Sequence, residues 1–184
     1  QVKFGQYQDK IYDNFDCFFT EDFTYLTEKG SLLHWIRCGP PSPMHPMNDG
    51  RPVPTGNDSI DRTMFCYSVD DGLTWSDVYD FGEYARMYPR VLKLKDGRLL
   101  MTYTQRGLQY PIGLRALLSY NDGASWDFKN DQIVIEGKTP WGMVQGGGFG
   151  NTLQLADGGL ISCYSYRAAD KNTYVEVVRW RLPK

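Results

Sequence analysis

Three segments of this 184-residue chain alternate apolar and polar positions, meet a turn ending in glycine, and resume on two apolar residues. They read TYLTEKGSLLHWIR (24–37), VLKLKDGRLLMTYTQR (91–106) and TLQLADGGLISCYSYR (152–167), with Gly30, Gly97 and Gly158 in the turns. Alternation with period two marks a strand with one face buried. Lys-Gly and Asp-Gly pairs mark hairpin turns, because glycine takes positive φ freely and aspartate tolerates it. Each segment is predicted to form a β-hairpin.

The first two hairpins are followed by a third strand (62–68, then 114–119), by SVDDGLTW (68–75) or SYNDGASW (119–126), and by a fourth strand (78–81, then 132–136). After the third hairpin comes only TYVEVVRWRLP (173–183). Four antiparallel strands repeated about every sixty-odd residues make a propeller blade. The expected fold is all-β: a β-propeller of four-stranded antiparallel blades at about 15–82, 86–137 and 147–183, forming one propeller portion over 1–184. The doubled motif has a local task. Asp70 or Asn121 caps the turn's N–H groups, Gly72 or Gly123 supplies positive φ, Ser and Thr brace the turn, and Trp75 or Trp126 buries a large ring.

Composition agrees with strands and tight turns: 41% hydrophobic and 23% charged residues, 15% aromatics, nineteen Gly and ten Pro. A net charge of -2 offers no basic surplus for a polyanion, so nucleic acid is not expected as a partner. No apolar run approaches the roughly twenty residues of a membrane span, and QVKFGQYQDK lacks the charged and apolar regions of a signal peptide. Cys17, Cys38, Cys66 and Cys163 have no C-x-x-C spacing and the only histidines are His34 and His45, so no zinc site and no cofactor are expected. Buried free thiols and a Cys38–Cys66 disulfide both remain open.

The paired motifs resemble the Asp boxes, or BNR repeats, of the sialidase (neuraminidase) superfamily, which also occur in non-enzymatic propellers. TYVEVVRWRLP looks like the strand that ends sialidase catalytic domains, so the resemblance implies the last three blades of a six-bladed ring. It further implies a secreted or periplasmic protein, an acidic glycan or sialic-acid-like sugar as ligand, and a missing half-propeller or a second copy as partner. The chain is then either a fragment of a longer protein or a natural half-propeller. Three blades alone would expose two sheet edges.

The resemblance also assigns residues. Thr20-Glu21 through Lys29-Gly30 to Arg37 runs in the register N-E-x(7)-D-G-x(6)-R, with Thr20 and Lys29 where the pattern has Asn and Asp. By resemblance Glu21 would be a base that activates a tyrosine nucleophile and Arg37 one arginine of a carboxylate clamp. A guanidinium fork suits a carboxylate, and a carboxylate can draw a proton from a phenol of ordinary pKa about 10. Asp16 is a rival acid. Arg115 is the candidate for a second clamp arginine, although four residues nearer the box than usual, and Arg86, Arg90 and Arg106 occupy loops of the same rim. The family's nucleophile position falls on Phe149, which cannot attack an anomeric carbon, and its companion Glu is replaced by Ser165. Tyr88, in RMYPR, holds the equivalent strand-entry position one blade earlier, with Tyr164 and Tyr166 on the neighbouring strand.

Three features lie outside the motifs. Gly146, Gly147, Gly148 and Gly150 lack the strand-then-helix context of a phosphate loop and are expected to let an innermost strand bend tightly. The Pro-rich loop 39–61 is long for a compact domain and is expected to cover the active face. Trp141 is a sugar-stacking platform or a packed anchor. Two functions follow: a sialidase-like glycoside hydrolase using Glu21 or Asp16 as acid or base, or a non-catalytic carbohydrate-binding or assembly propeller.

Overall fold

The computed structural model describes residues 18–39, 44–46, 52–54, 61–82, 85–106, 112–136, 150–167, 170 and 172–183. The chain divides into two compact units, Gln1–Arg86 and Met87–Lys184.

In the first unit, β1 (Phe18–Leu26), β2 (Leu32–Gly39), β5 (Arg62–Ser68) and β6 (Tyr79–Asp80) form one antiparallel sheet in the order β1-β2-β5-β6. A small ribbon, β3 (Met44–Pro46) with β4 (Pro52–Pro54), lies within the Pro-rich loop. Period two sorts the sheet's two faces. Trp35 packs on one face with Phe23, Phe65 and Phe81, at ring-centroid separations of 6.1, 5.2 and 6.0 Å. Cys38, Met64, Cys66 and Val78 pack on the other, joined by Ile36 and Trp75. Cys38 and Cys66 are both buried and free; Cys38 opposes Arg62 while Cys66 opposes His34, so the two thiols sit at different rungs. Burial pushes the Cys66 thiol up to about 11. Cys163 is also free but only half-buried, against the expectation that every thiol is buried.

In the second unit, β8 (Leu99–Gln105) and β9 (Gly113–Ser119) lie between β7 (Arg86–Lys93), whose first residue belongs to the first unit, and β10 (Gln132–Glu136). A single 3-10 turn, Phe128–Asn130, precedes β10. A third sheet holds β11 (Asn151–Gln154), β12 (Leu160–Arg167) and β13 (Thr173–Trp180). Leu94, Leu100, Ala116 and Leu160 form one core cluster between these two sheets, and Leu114, Ile135 and Tyr164 another. Gly150 enters β11 at close quarters: a Cβ there would meet the Cys163 carbonyl oxygen and Leu114 Cδ1, each at 2.7 Å. That is the steric reason for glycine at this strand entry.

The three hairpin turns are built alike. The Leu94 N–H donates to the Arg98 carbonyl and the Gly97 N–H to the Leu94 carbonyl, and the same pair of bonds closes 27–31 and 155–159. Only the glycine takes positive φ, at 84°, 90° and 79°. This is a type I turn completed by a glycine bulge, rather than a two-residue turn with both central residues left-handed.

The SVDDGLTW and SYNDGASW turns repeat nearly atom for atom. The Gly72 and Gly123 N–H groups each donate to the motif serine hydroxyl at 2.9 Å, and Thr74 and Ser125 N–H donate to Oδ1 of Asp70 and Asn121 at 2.8 and 2.9 Å. The hydroxyl of Thr74 donates to Asp70 at 2.5 Å, whereas the Asn121 amide donates to the Ser125 hydroxyl at 2.8 Å. The Thr74 hydroxyl, its N–H and Ser68 together hold the Asp70 carboxyl down at about 2. An acid whose folded pKa is depressed contributes stability above its unfolded value, and that contribution is lost as pH falls through the folded one. Asp70→Asn copies the second turn and removes the titration. The variant is expected to fold as the parent does at neutral pH and to lose less stability than the parent as pH falls from 3.8 to about 2, measured by urea denaturation.

Candidate functional site

In the β1–β2 register, Thr20 faces Arg37 and Asp22 faces Ile36, which leaves Glu21 as the extra residue of a β-bulge, at φ 46°. A bulge re-aims the side chain it carries. Here Glu21 Oε2 accepts a hydrogen bond from Arg37 Nη1 at 2.7 Å. On the neighbouring strand, Thr63 stands opposite Arg37, and period two puts Asp61 on the same side. Arg37 Nε and Nη2 both donate to Asp61 Oδ2, at 2.6 and 2.5 Å.

Side-chain exposure rises along this cluster from 5% at Asp61 through 13% at Arg37 to 38% at Glu21. Burial pushes the Asp61 carboxyl above its ordinary value, Arg37 opposes that push and Glu21 adds to it. The guanidinium is thus anchored by a buried acid at Nε and Nη2 and bonded at Nη1 to a partly exposed acid. An anionic group arriving from solvent would meet Arg37 where Glu21 now holds it.

A second cluster lies wholly in the second unit. Tyr88 is buried with φ 54°, directly before Pro89, where residues are driven toward extended backbone. Such a conformation costs on the order of 1–3 kcal/mol and persists only when its surroundings hold it. The Cζ of Arg106, a residue 4% exposed, lies 4.9 Å from the Tyr88 ring centroid. Burial pushes the Tyr164 phenol above its usual range while the Arg106 charge pulls it back.

The remaining candidates are dispersed. Arg90 Nη1 donates to the Pro89 carbonyl at 2.9 Å, and Arg86 is half-buried with its carbonyl accepting from the Thr63 hydroxyl. Arg115 Nε donates to Asp131 Oδ2 at 2.9 Å, and the Tyr103 hydroxyl donates to the same oxygen. With side chains 13% and 10% exposed, Arg115 and Asp131 form an ion pair embedded in their own sheet. Asp16, Trp141, Phe149 and the run Gly146 to Gly148 lie outside the described residues; Ser165 is half-buried on β12. Among the described residues, no three His, Cys, Asp or Glu side chains cluster so as to hold a metal ion, and no helix is long and apolar enough to cross a membrane.

The structure therefore brings Glu21 to Arg37 and Tyr88 to Arg106. Sequence reasoning missed Asp61 and Asp131. The signal for Asp61 was its place two residues ahead of Thr63, the cross-strand partner of Arg37, but that signal depends on a β2–β5 register spanning the long Pro-rich loop.

No protein-family model and no curated protein matches the chain. Solved structures do. A protein of unknown function from Dyadobacter fermentans aligns over 91% of this chain and 39% of its own, with TM-score 0.66 and 20% identity. The intramolecular trans-sialidase from Ruminococcus gnavus aligns over 90% of this chain and 52% of its own, with TM-score 0.59 and 9% identity. A thermostable family-43 glycoside hydrolase aligns over 90% and 55%, with TM-score 0.53 and 14% identity. The likeness shows the fold: all-β, with antiparallel sheets like those of propeller glycoside hydrolases, sialidases among them. The chain spans between 39% and 55% of the length of these proteins.

Proposed function

We propose that the chain is part of a secreted or periplasmic glycoside hydrolase of sialidase-like architecture that acts on acidic glycans. Arg37 would hold the sugar's carboxylate and Glu21 would serve as acid or base. The observation that carries this reading is the Glu21–Arg37–Asp61 cluster, in which a buried acid holds one edge of a guanidinium while its Nη1 is bonded to a partly exposed acid. Fold likeness to sialidases and the SVDDGLTW and SYNDGASW motifs support the same reading.

On binding, the incoming carboxylate would displace Glu21 from Arg37 Nη1 and leave the Glu21 carboxylate free to take a proton from a water that adds at the anomeric carbon. The glycosidic C–O bond would break as the water adds, and the leaving oxygen would take its proton from solvent. Arg86, in the same unit as Arg37, would supply further positive charge, and Arg115 would act through its own ion pair rather than by touching sugar. Within the second unit, Tyr88 beside Arg106 is the residue to test as nucleophile in place of Phe149; Asp16 is to be tested as a rival acid and Trp141 as a stacking surface. The other blades would come from a longer chain or a second copy.

The chain is to be titrated with methyl α-glycosides of N-acetylneuraminic acid and glucuronic acid and with methyl N-acetylglucosaminide as a neutral control, and assayed on the matching 4-methylumbelliferyl glycosides, with its mass in solution read by light scattering. Acidic sugars are expected to bind in preference to the neutral one, and Arg37→Ala to weaken them at least tenfold. Glu21→Gln is expected to reduce turnover at least about 100-fold while binding remains. Loss of the acidic preference would sink the proposal. Arg37-dependent binding with no turnover by a protein whose mass shows a closed dimer would replace the hydrolase with a non-catalytic carbohydrate-binding propeller, a reading that Phe149 already favours.

A further inference from the structure

Within the second unit, a pocket of about 340 Å³ opens beside the SYNDGASW turn. Its floor is Leu100, Ala116 and Leu118, continuous with the core cluster that also packs Leu182. Its rim carries Tyr120, Arg98 and Gln132. Arg98 and Arg106 flank opposite ends of β8, eight residues apart at about 3.3 Å each, so the pocket lies roughly 26 Å from the Arg106 cluster.

We propose that this pocket is a second carbohydrate site, one that takes a single neutral pyranose unit. The volume sits at the low end of small-ligand pockets, which suits one ring and not a long oligosaccharide. The lining is amphipathic as a sugar is: an apolar floor for the C–H face, the Tyr120 ring for stacking, and polar groups at the rim for hydroxyls. Tyr120 is 66% exposed although it is a large aromatic, and its ring is held by Arg98, whose Cζ lies 5.9 Å from the centroid. The half-buried Gln132 amide makes no hydrogen bond with any described residue, so both its donor and its acceptor can reach a bound hydroxyl.

Charge decides between neutral and acidic sugar. Among the described lining residues Arg98 is the one cation, and Asp96 already neutralises it, accepting from Arg98 Nε and Nη2 at 2.9 and 2.6 Å. The other charged lining group is the Asp127 carboxylate, tied to Asn130 as the cap of the 3-10 turn. A second carboxylate brought by the ligand would find no uncommitted cation among the described lining residues and would meet Asp127. This inference does not depend on the Arg37 cluster being an active site.

The test is a titration of the ¹⁵N-labelled chain, followed at the Gln132 side-chain amide, with methyl β-glucopyranoside, methyl β-galactopyranoside, methyl β-xylopyranoside and methyl β-glucuronide. At least one neutral glycoside is expected to shift that amide saturably at millimolar concentration, and the glucuronide to bind more weakly than the neutral sugar. Tyr120→Ala and Gln132→Ala, both away from the buried core, are expected to weaken binding about tenfold each, as loss of one stacking or hydrogen-bonding contact predicts. Circular dichroism checks that each variant is folded, and either variant alone suffices. No saturable shift with any neutral glycoside, equal or tighter binding of the glucuronide, or unchanged binding in a folded variant would each overturn the proposal.

Discussion

Trp35→Ala lowers the stability of this chain by about 3–5 kcal/mol and its Tm by on the order of 10 °C, the largest loss expected of any single truncation. Trp35 has no solvent exposure, and its indole is surrounded by Phe23, Phe65 and Phe81 at centroid separations of 5.2 to 6.1 Å. Truncation removes the transfer free energy of a large ring together with the aromatic contacts of three neighbours, and strands cannot close such a cavity without leaving their register. Trp75 provides the comparison. It is only half-buried, and its Nε1 donates to the Gly72 carbonyl at 3.1 Å, so Trp75→Ala should cost clearly less. Chemical denaturation followed by tyrosine fluorescence and circular dichroism measures both. A Trp35→Ala loss no larger than that of Trp75→Ala would mean that the aromatic cluster is not the chief support of the first sheet.

The hairpins and their repeat were legible because they rest on local chemistry. Each turn is specified within five residues, as in Leu94 to Arg98, and each strand by alternation over six to eight. The doubled motif was legible for the same reason: the side chains of Ser68 and Asp70 bond to one another and to the N–H groups of Gly72 and Thr74, all within seven residues. The pairing of Glu21 with Arg37 was readable only through resemblance, because a bulge breaks the period that would otherwise assign Glu21 a face. Asp61 was not legible. It stands 24 residues beyond Arg37, past a Pro-rich stretch whose sequence has no alternation from which the β2–β5 register could be read. Arg115 shows the converse limit: sequence placed it on a strand and offered its charge to a ligand, but Asp131, sixteen residues on, already holds it. A charged residue's availability is a property of its partners, and partners far along the chain leave no local signature.

Asp61→Ala should cost about 3 kcal/mol of stability, measured by urea denaturation near neutral pH. The carboxylate is almost fully buried and accepts two bonds from Arg37, so its removal strands most of a guanidinium that is itself only 13% exposed. The loss stays at the lower end of the range for broken buried pairs because Arg37 keeps Glu21 and some contact with water. Asp61→Asn separates charge from shape. Burial raises the Asp61 pKa on folding, so between the unfolded and folded values the folded state holds more proton than the unfolded state. Stability contributed by this group is then greatest at low pH and declines as pH rises through that interval, opposite in sign to Asp70. The asparagine variant should lack that decline while keeping a folded sheet. It should also loosen Arg37, so affinity for an acidic sugar should fall in both variants, whereas Glu21→Gln should leave affinity and take turnover. If Asp61→Ala changes stability by less than about half a kcal/mol, or leaves acidic-sugar affinity intact, Arg37 is positioned by something other than Asp61, and the anchored-fork account of this cluster fails.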